Sequence, residues 1–129
     1  MVMSNCPVIA IDGPTASGKG TVAALVAGRL GYHYLDSGAI YRVLAVAVAN
    51  AGLNPDVPAD LQKIIPMASS LPAQFQAERV LLAGTDVSEA IRTEEAGVMA
   101  SRLAVVPEVR TGLLQRQRDF RQSPGLVAD

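Results

Sequence analysis

Residues 7–21 read Pro-Val-Ile-Ala-Ile-Asp-Gly-Pro-Thr-Ala-Ser-Gly-Lys-Gly-Thr. The apolar stretch Pro7–Asp12 predicts a strand, and the glycines that follow let the backbone turn its N–H groups inward, toward phosphate oxygens. A helix beginning near Lys19 directs the positive end of its dipole at the same point, and Lys19 adds a mobile cation. The stretch therefore predicts a loop that binds a nucleoside triphosphate, with Lys19 as its catalytic residue. The predicted contacts are Gly13, Pro14, Thr15, Ala16, Ser17, Gly18, Lys19, Gly20 and Thr21.

This loop departs from the usual phosphate-loop pattern at one position. The spacing of Gly13, Gly18 and Lys19 is the usual one, but Gly20 stands where a serine or threonine normally ligates Mg²⁺. Glycine has no side chain to ligate a metal, so direct ligation of Mg²⁺ by position 20 is excluded. Mg²⁺ would be held mainly by the nucleotide and water, with Thr21 as a helper. The variant favours small-molecule kinases over switch GTPases and motor ATPases.

Composition narrows the class of protein further. The 129 residues suffice for about one domain, and the net charge of −1 shows no basic excess for nucleic acid. Cys6, the single cysteine, cannot form an internal disulfide, which suits a reducing compartment. The N-terminus lacks a signal pattern, and the apolar stretch Val43–Ala49 is too short to span a bilayer. We expect a cytoplasmic protein with neither nucleic acid nor membrane as a partner.

The first half of the chain alternates between helix and strand patterns. Helical spacing of apolar residues predicts a helix from the loop to Gly31, and Tyr32–Leu35 predicts a second strand. Ser37 is the expected N-cap of a mostly buried helix that Gly52 closes. Asp36 is compatible with a helix cap and with support of a ligand pocket. This order implies right-handed crossovers and a parallel sheet, which binds ligands at the carboxyl ends of its strands.

The middle of the chain predicts a small antiparallel insert. Asp60 is expected to open a short helix that Pro66 kinks. Residues 73–83 alternate in strand fashion with a tight connection, a turn is expected at 84–86, and Val87 starts another extended piece.

The last third predicts two helices and a strand. Thr93 begins the first helix, Pro107 lies in the first turn of the second, and the apolar end Leu126–Asp129 predicts a third core strand. Three carboxylates fall at strand ends on one face: Asp12, Asp36 and Asp129.

Several blocks of the sequence resemble the bacterial cytidylate kinase family. The blocks are residues 11–14, 17–21, 35–42, 86–88, 91–93, 100–101, 107–110, 116–118 and 124–129. The most discriminating is Leu-Asp-Ser-Gly-Ala-Ile-Tyr-Arg at 35–42. Adenylate kinases share the Gly-Lys-Gly-Thr ending of the loop but lack this second block.

The resemblance implies transfer of the γ-phosphoryl group of ATP to CMP or dCMP, with Mg²⁺. It implies that Arg42 holds the acceptor phosphate, that Ser101 and Arg110 read the cytosine, and that Ser37 lines the same pocket. Arg92 is a further candidate for the pocket wall. An arginine fork suits the two negative charges of a phosphate monoester, and arginine with a hydroxyl can satisfy much of the cytosine edge.

The resemblance also implies an α/β fold, in which a P-loop core with a parallel sheet and flanking helices carries an inserted α+β region. The expected segments are 1–36 (core), 37–95 (monophosphate-binding region with a small antiparallel sheet) and 96–129 (return to the core). The family continues past Asp129 with a Gly-Arg-Asp segment, the rest of the core and an arginine-bearing lid. We therefore expect a monomer when complete and weak or no activity for residues 1–129 alone. The alternatives are a non-catalytic ATP-binding fragment and another small-molecule P-loop kinase.

Overall fold

The computed structural model describes residues 6–13, 18–76 and 79–129. The helices within these ranges are α1 (Lys19–Leu30), α2 (Ile40–Asn50), α3 (Pro58–Ser69), α4 (Glu94–Ala104) and α5 (Pro107–Asp119), with a short 3-10 helix at Ala90–Arg92. The strands are β1 (Val8–Ala10), β2 (His33–Leu35), β3 (Ala73–Phe75), β4 (Val80–Leu82), β5 (Thr85–Asp86) and β6 (Leu126–Ala128). The strands and helices around the predicted loop follow the expected order.

Strands β1, β6 and β2 form a parallel sheet in that order. Val127 of the central strand β6 pairs with Ile9 on one side and with Tyr34 on the other. Both parallel connections are crossovers through helical segments, as parallel strands require. The predicted third core strand is therefore confirmed, and it is the middle strand of the described sheet.

Helix α1 packs directly on β6. Ala23 and Ala27 are fully or almost fully buried against Val127, and their small side chains allow the helix to approach the sheet closely. Gly18 before the helix has φ 81° and Gly31 after it has φ 68°, the left-handed backbone that glycine adopts without strain. The predicted end of this helix at Gly31 is confirmed.

The larger core lies between the helices and the inserted sheet. Helix α2 contributes residues with no exposed surface, among them Ile40, Val43 and Leu44, which confirms that this helix is mostly buried. Helices α3 and α5 also approach closely, because Gly112 of α5 lies against Ala68 of α3. The insert is an antiparallel sheet of order β3-β4-β5, as the alternation predicted.

The prediction that Ser37 is the N-cap of α2 was wrong. Helix α2 begins at Ile40 after Ala39, and no side chain caps it. The Ser37 hydroxyl instead donates to the backbone oxygen of Asp129, while Asp36 Oδ1 accepts from the Ala39 N–H at 3.0 Å. Because the tertiary partner takes the serine hydroxyl, the carboxylate organises the turn that precedes the helix.

Two other boundaries also differ from the sequence-based expectation. Helix α3 begins at Pro58 rather than Asp60, since proline suits the first helical position, and it continues through Pro66 to Ser69. The turn expected at 84–86 lies at Ala83 and Gly84, whose φ values of 50° and 84° form the tight connection between β4 and β5. Positive φ at both positions matches the twist of a two-residue hairpin.

Candidate functional site

A cleft of about 550 Å³ separates the start of α1 from the inserted sheet. We call it the arginine cleft, because three arginines line it. Its lining residues are Gly20, Thr21, Tyr34, Asp36, Arg42, Phe75, Gln76, Arg79, Val80, Ser88, Ile91 and Arg92. These residues come from the core helix α1, from β2, from α2 and from the insert. The cleft therefore lies where α1, the end of β2, α2 and the insert meet.

The described part of the predicted loop reaches this cleft through the first turn of α1. Pro14, Thr15, Ala16 and Ser17 lie outside the described residues. Lys19 begins α1 and is half-buried, and the next two residues, Gly20 and Thr21, line the cleft. The first turn contains no acidic side chain of its own, and its backbone N–H groups carry the positive potential of a helix N-terminus.

Arg42 points into the same cleft and is held there by backbone oxygens. Its Nη1 donates to the carbonyl oxygen of Ile91 at 2.8 Å and, more weakly, to that of Thr93 at 3.5 Å. A Cβ atom on Gly97 of α4 would lie 3.0 Å from Nη2, so the glycine leaves space for the guanidinium. Carbonyl oxygens orient the guanidinium without neutralising its full charge, which remains available to an anionic ligand.

Two further arginines make the cleft strongly positive. Arg79, just before β4, donates to Gln76 Oε1 at 3.0 Å, and Arg92 ends the 3-10 helix beside the Ile91 carbonyl. With Arg42 they give three guanidinium groups against the carboxylate of Asp36. The only salt bridge among the residues that the structure describes lies elsewhere, between Arg102 and Asp56. A cleft with this excess of cations attracts phosphate groups.

A carboxylate pair lies at the edge of the sheet beside the arginine cleft. Asp36 follows β2 and Asp129 follows β6, so the two side chains emerge from neighbouring parallel strands. Burial and then the negative charge of Asp129 raise the pKa of Asp36, although the Ala39 amide opposes this shift. Asp36 organises the turn before α2 and also lines the cleft, and its support of a ligand stays a prediction.

Tyr34 completes this cluster. Its hydroxyl donates to Asp129 Oδ2 at 2.8 Å, and burial followed by this hydrogen bond raises the pKa of the phenol. Tyr34, Asp129 and Arg79 were absent from the predicted site residues. Asp129 was predicted only to lie at the ligand-binding edge of the sheet, because an aspartate after an apolar strand falls there.

The other predicted substrate residues lie outside the arginine cleft. Ser37 is half-buried and donates to the backbone oxygen of Asp129. Ser101 is exposed on α4 and donates to the Gly97 carbonyl at 3.1 Å, one helical turn from the glycine that faces Arg42. Arg110 is exposed and lines a separate depression of about 340 Å³ together with Tyr41. Roles for these three residues stay predictions.

Oxygen donors dominate the possible metal ligands. The described residues contain no group of three histidine, cysteine, aspartate or glutamate side chains arranged to hold a metal ion. Asp36 and Asp129 supply two carboxylates, and Thr21 supplies a hydroxyl in the first turn of α1. This small set suits a cation that keeps most of its water and binds chiefly to a nucleotide, as Mg²⁺ does.

None of the described helices has the length and apolar character needed to cross a membrane.

Comparison with known proteins gives a consistent result. The sequence model described as cytidylate kinase matches residues 9–129. A cytidylate kinase of Marinomonas sp. (strain MWYL1) is 54% identical over 128 residues, which are 95% of this chain and 55% of that protein. The cytidylate kinase of Colwellia psychrerythraea is 53% identical over 99% of this chain and 58% of its own length. That of Polynucleobacter necessarius is 54% identical over 98% of this chain and 58% of its own length. The chain thus spans little more than half the length of these relatives, and it belongs to the cytidylate kinase family.

Proposed function

We propose that residues 1–129 form the nucleotide-binding part of an enzyme that transfers the γ-phosphoryl group of ATP to CMP or dCMP, giving CDP or dCDP. The observation that carries this proposal is that Arg42 and the first turn of α1 line one cleft. A phosphate donor held by the loop and an acceptor phosphate held by Arg42 would therefore face each other across that space. The relatives named above are all cytidylate kinases, which supports this acceptor.

The arginine cleft suits the chemistry of phosphoryl transfer. Such a reaction needs little covalent help from a protein; it needs two phosphates held in line and their charge neutralised. Lys19 and the N–H groups of α1 would hold the outer phosphates of ATP, and Arg42 would grip the acceptor phosphate with its fork. Arg79 and Arg92 would add positive charge where the phosphates of ATP and of the acceptor come close together.

Recognition of cytosine would fall to Ser37, Ser101 and Arg110. One placement supports this assignment: Ser101 lies one helical turn from Gly97, which leaves space for the Arg42 guanidinium. A site built on hydrogen bonds rejects bases that leave its polar groups unpaired, so the enzyme should discriminate strongly against other monophosphates.

Mg²⁺ would bind through ATP and water, with Asp36, Asp129 and Thr21 as nearby oxygen donors. When bound, it would neutralise charge on the triphosphate. We place the enzyme in the cytoplasm as a monomer, in pyrimidine nucleotide metabolism. The free thiol of Cys6 is compatible with a reducing compartment.

A coupled assay of ATP turnover tests the proposal. The gene product that carries residues 1–129 is given CMP, dCMP, UMP or AMP, and kcat/KM is compared. We expect CMP and dCMP to exceed the other acceptors by about 100-fold or more. A preference for AMP or for an alcohol would assign the chain to another P-loop kinase activity and refute the proposal.

The same assay on the isolated 129-residue chain separates binding from catalysis. We expect it to bind ATP while turning over CMP weakly or not at all. The family resemblance places the charged lid that covers the transferring phosphoryl group past Asp129, outside these residues. Turnover equal to that of the whole gene product would refute this expectation.

A further inference from the structure

The glycine at position 20 faces the carboxylate of Asp129. A Cβ atom built on Gly20 would lie 3.3 Å from Asp129 Oδ2 and 3.8 Å from the Tyr34 hydroxyl oxygen. The space that a serine or threonine side chain occupies in most phosphate-binding loops is therefore bordered here by a carboxylate and a phenol. The unusual loop residue and the carboxylate form one local arrangement.

Tyr34 reaches Asp129 because of strand register. Tyr34 pairs with Val127 on the neighbouring parallel strand, and side chains that lie opposite each other point to the same face. Asp129 follows Val127 by two residues, so its side chain returns to that face. The hydroxyl of Tyr34 then donates to Oδ2 at 2.8 Å across 95 positions of sequence. This contact fixes one oxygen of the carboxylate beside the first turn of α1.

A hydrogen-bond donor is well placed here for an electrostatic reason as well. Asp36 and Asp129 are two like charges at adjacent strand ends. A phenol that donates to one carboxylate lowers the cost of keeping both ionised and limits the rotation of Asp129. The first turn of α1 contains no acidic side chain that would compete with Asp129 for the Tyr34 hydroxyl.

We infer that Tyr34 is a positioning residue: its hydroxyl holds the Asp129 carboxylate against Gly20 and so raises the affinity of the ATP site for Mg²⁺. The inference deepens the proposed function and rests on it for the identity of the nucleotide and the metal. In this role Tyr34 acts through Asp129. Residues that orient a ligand in this way commonly change metal affinity by tenfold or more when they are replaced.

The test measures how much Mg²⁺ is needed for a fluorescent ATP analogue to bind the gene product. Tyr34→Phe removes only the hydroxyl, and we expect the half-saturating Mg²⁺ concentration to rise about tenfold. Tyr32→Phe is the matched control, because Tyr32 lies two residues away and does not line the arginine cleft. We expect that control to change the value less than twofold. An unchanged value in Tyr34→Phe would overturn the inference.

A double-mutant cycle asks whether Tyr34 acts through Asp129. In an Asp129→Asn background, Tyr34→Phe should produce little further change in the Mg²⁺ requirement, since the carboxylate to be positioned is gone. A full tenfold effect in that background would overturn the inference. Nucleotide binding measured without Mg²⁺ should be equal in Tyr34→Phe and the unsubstituted protein, and a loss there would also overturn it.

Gly20→Ala provides a second variant should Tyr34→Phe unfold. Its methyl group would lie against Asp129 Oδ2 and displace the carboxylate while leaving Tyr34 intact. We expect this variant also to raise the Mg²⁺ requirement, and an unchanged requirement would count against the inference. Because the readout is nucleotide binding, failure to phosphorylate CMP would refute the proposed function and leave the inference about Tyr34 standing.

Discussion

The guanidinium of Arg42 donates to the backbone carbonyl of Ile91 at a distance of 2.8 Å. This bond joins the first turn of α2 to the 3-10 helix at the end of the insert, and it fixes the direction of the cation. Since a carbonyl oxygen is neutral, Arg42 can be oriented by the fold and still bind a dianionic phosphate. The 3-10 helix thus contributes to the site by orienting a residue of α2.

Replacement of Arg42 should impair acceptor binding far more than ATP binding. We expect Arg42→Ala to lower kcat/KM for CMP by about 100-fold, the loss of one or two hydrogen bonds to a charged group. Arg42→Lys should recover only part of the loss, because an ammonium lacks the planar fork. Steady-state kinetics with CMP and ATP varied separately give the comparison.

Arg121→Ala is the control for this series, since Arg121 is exposed beyond the end of α5 and does not line the arginine cleft. It should leave kcat/KM within about twofold of the unsubstituted enzyme. An equal loss of ATP affinity in Arg42→Ala would show that the residue supports the fold rather than the acceptor.

Gly97 and Gly28 offer a matched pair of helical glycines. A Cβ atom on Gly97 would lie 3.0 Å from Nη2 of Arg42, whereas a Cβ atom on Gly28 would have no neighbour within 4 Å. Alanine in a helix is favoured over glycine by about 1 kcal/mol, so Gly28→Ala should raise the thermal midpoint without changing KM for CMP. Gly97→Ala should displace the guanidinium and raise KM for CMP about tenfold, because a small misplacement of a clamp is costly.

Thermal unfolding and acceptor kinetics measured on both variants check this pair. Equal KM values for CMP in the two variants would mean that the Arg42 guanidinium can move without weakening CMP binding. Its position would then not be tightly set by Gly97.

The parallel sheet and the helix that follows the predicted loop could be predicted because their determinants are local. An apolar strand, a glycine at φ 81° and a first helical turn without acidic side chains follow one another in the chain. The contacts of Arg79 and Tyr34 could not be predicted in this way. Arg79 reaches the cleft only through the hairpin of the insert, and Tyr34 meets a residue 95 positions later. No spacing rule connects such positions before the topology is known.

Ser37 illustrates a different limit. Serine is a favoured N-cap, and the local sequence offered a suitable helix after it. The structure places its hydroxyl on the backbone of Asp129 instead, and Asp36 takes over the local role. When two neighbouring side chains can both organise a turn, a partner distant in sequence decides between them.

Asp86 should make the stability of the protein depend on pH. Its carboxylate accepts from Ser88, first through the side-chain hydroxyl and then through the backbone N–H at 2.9 Å, and both bonds lower its pKa. A lowered pKa in the folded state stabilises the protein above the usual range of aspartate, and this stability is lost as the pH falls through the lowered pKa. Asp86→Asn should remove that acid-dependent loss.

Urea unfolding at a series of pH values between 2 and 7 measures the difference. Glu89→Gln is the control, as Glu89 is an exposed acid three residues away.

Asp36→Asn should change the pH dependence of stability in the opposite sense. Because burial raises the pKa of Asp36, its charge opposes folding once the pH exceeds the usual aspartate value near 3.8. Removing that charge should therefore stabilise the protein at neutral pH in the absence of nucleotide and Mg²⁺, and a loss of stability there would contradict the assignment.

Gly112 sets the distance between α3 and α5. A Cβ atom at this position would lie 2.9 Å from the Cβ of Ala68 and 3.2 Å from the backbone nitrogen of Ser69, and neither of these atoms can rotate away. Gly112→Ala should therefore force the helices apart and destabilise the protein by about 1–3 kcal/mol, despite the higher helix propensity of alanine. Gly28→Ala has the same propensity gain without the contact and should shift the urea midpoint the other way. Since α5 also carries Arg110, a separation of these helices should weaken CMP binding while ATP binding by the loop is retained. Equal stability changes in the two glycine variants would show that α3 and α5 are not held at the distance seen here.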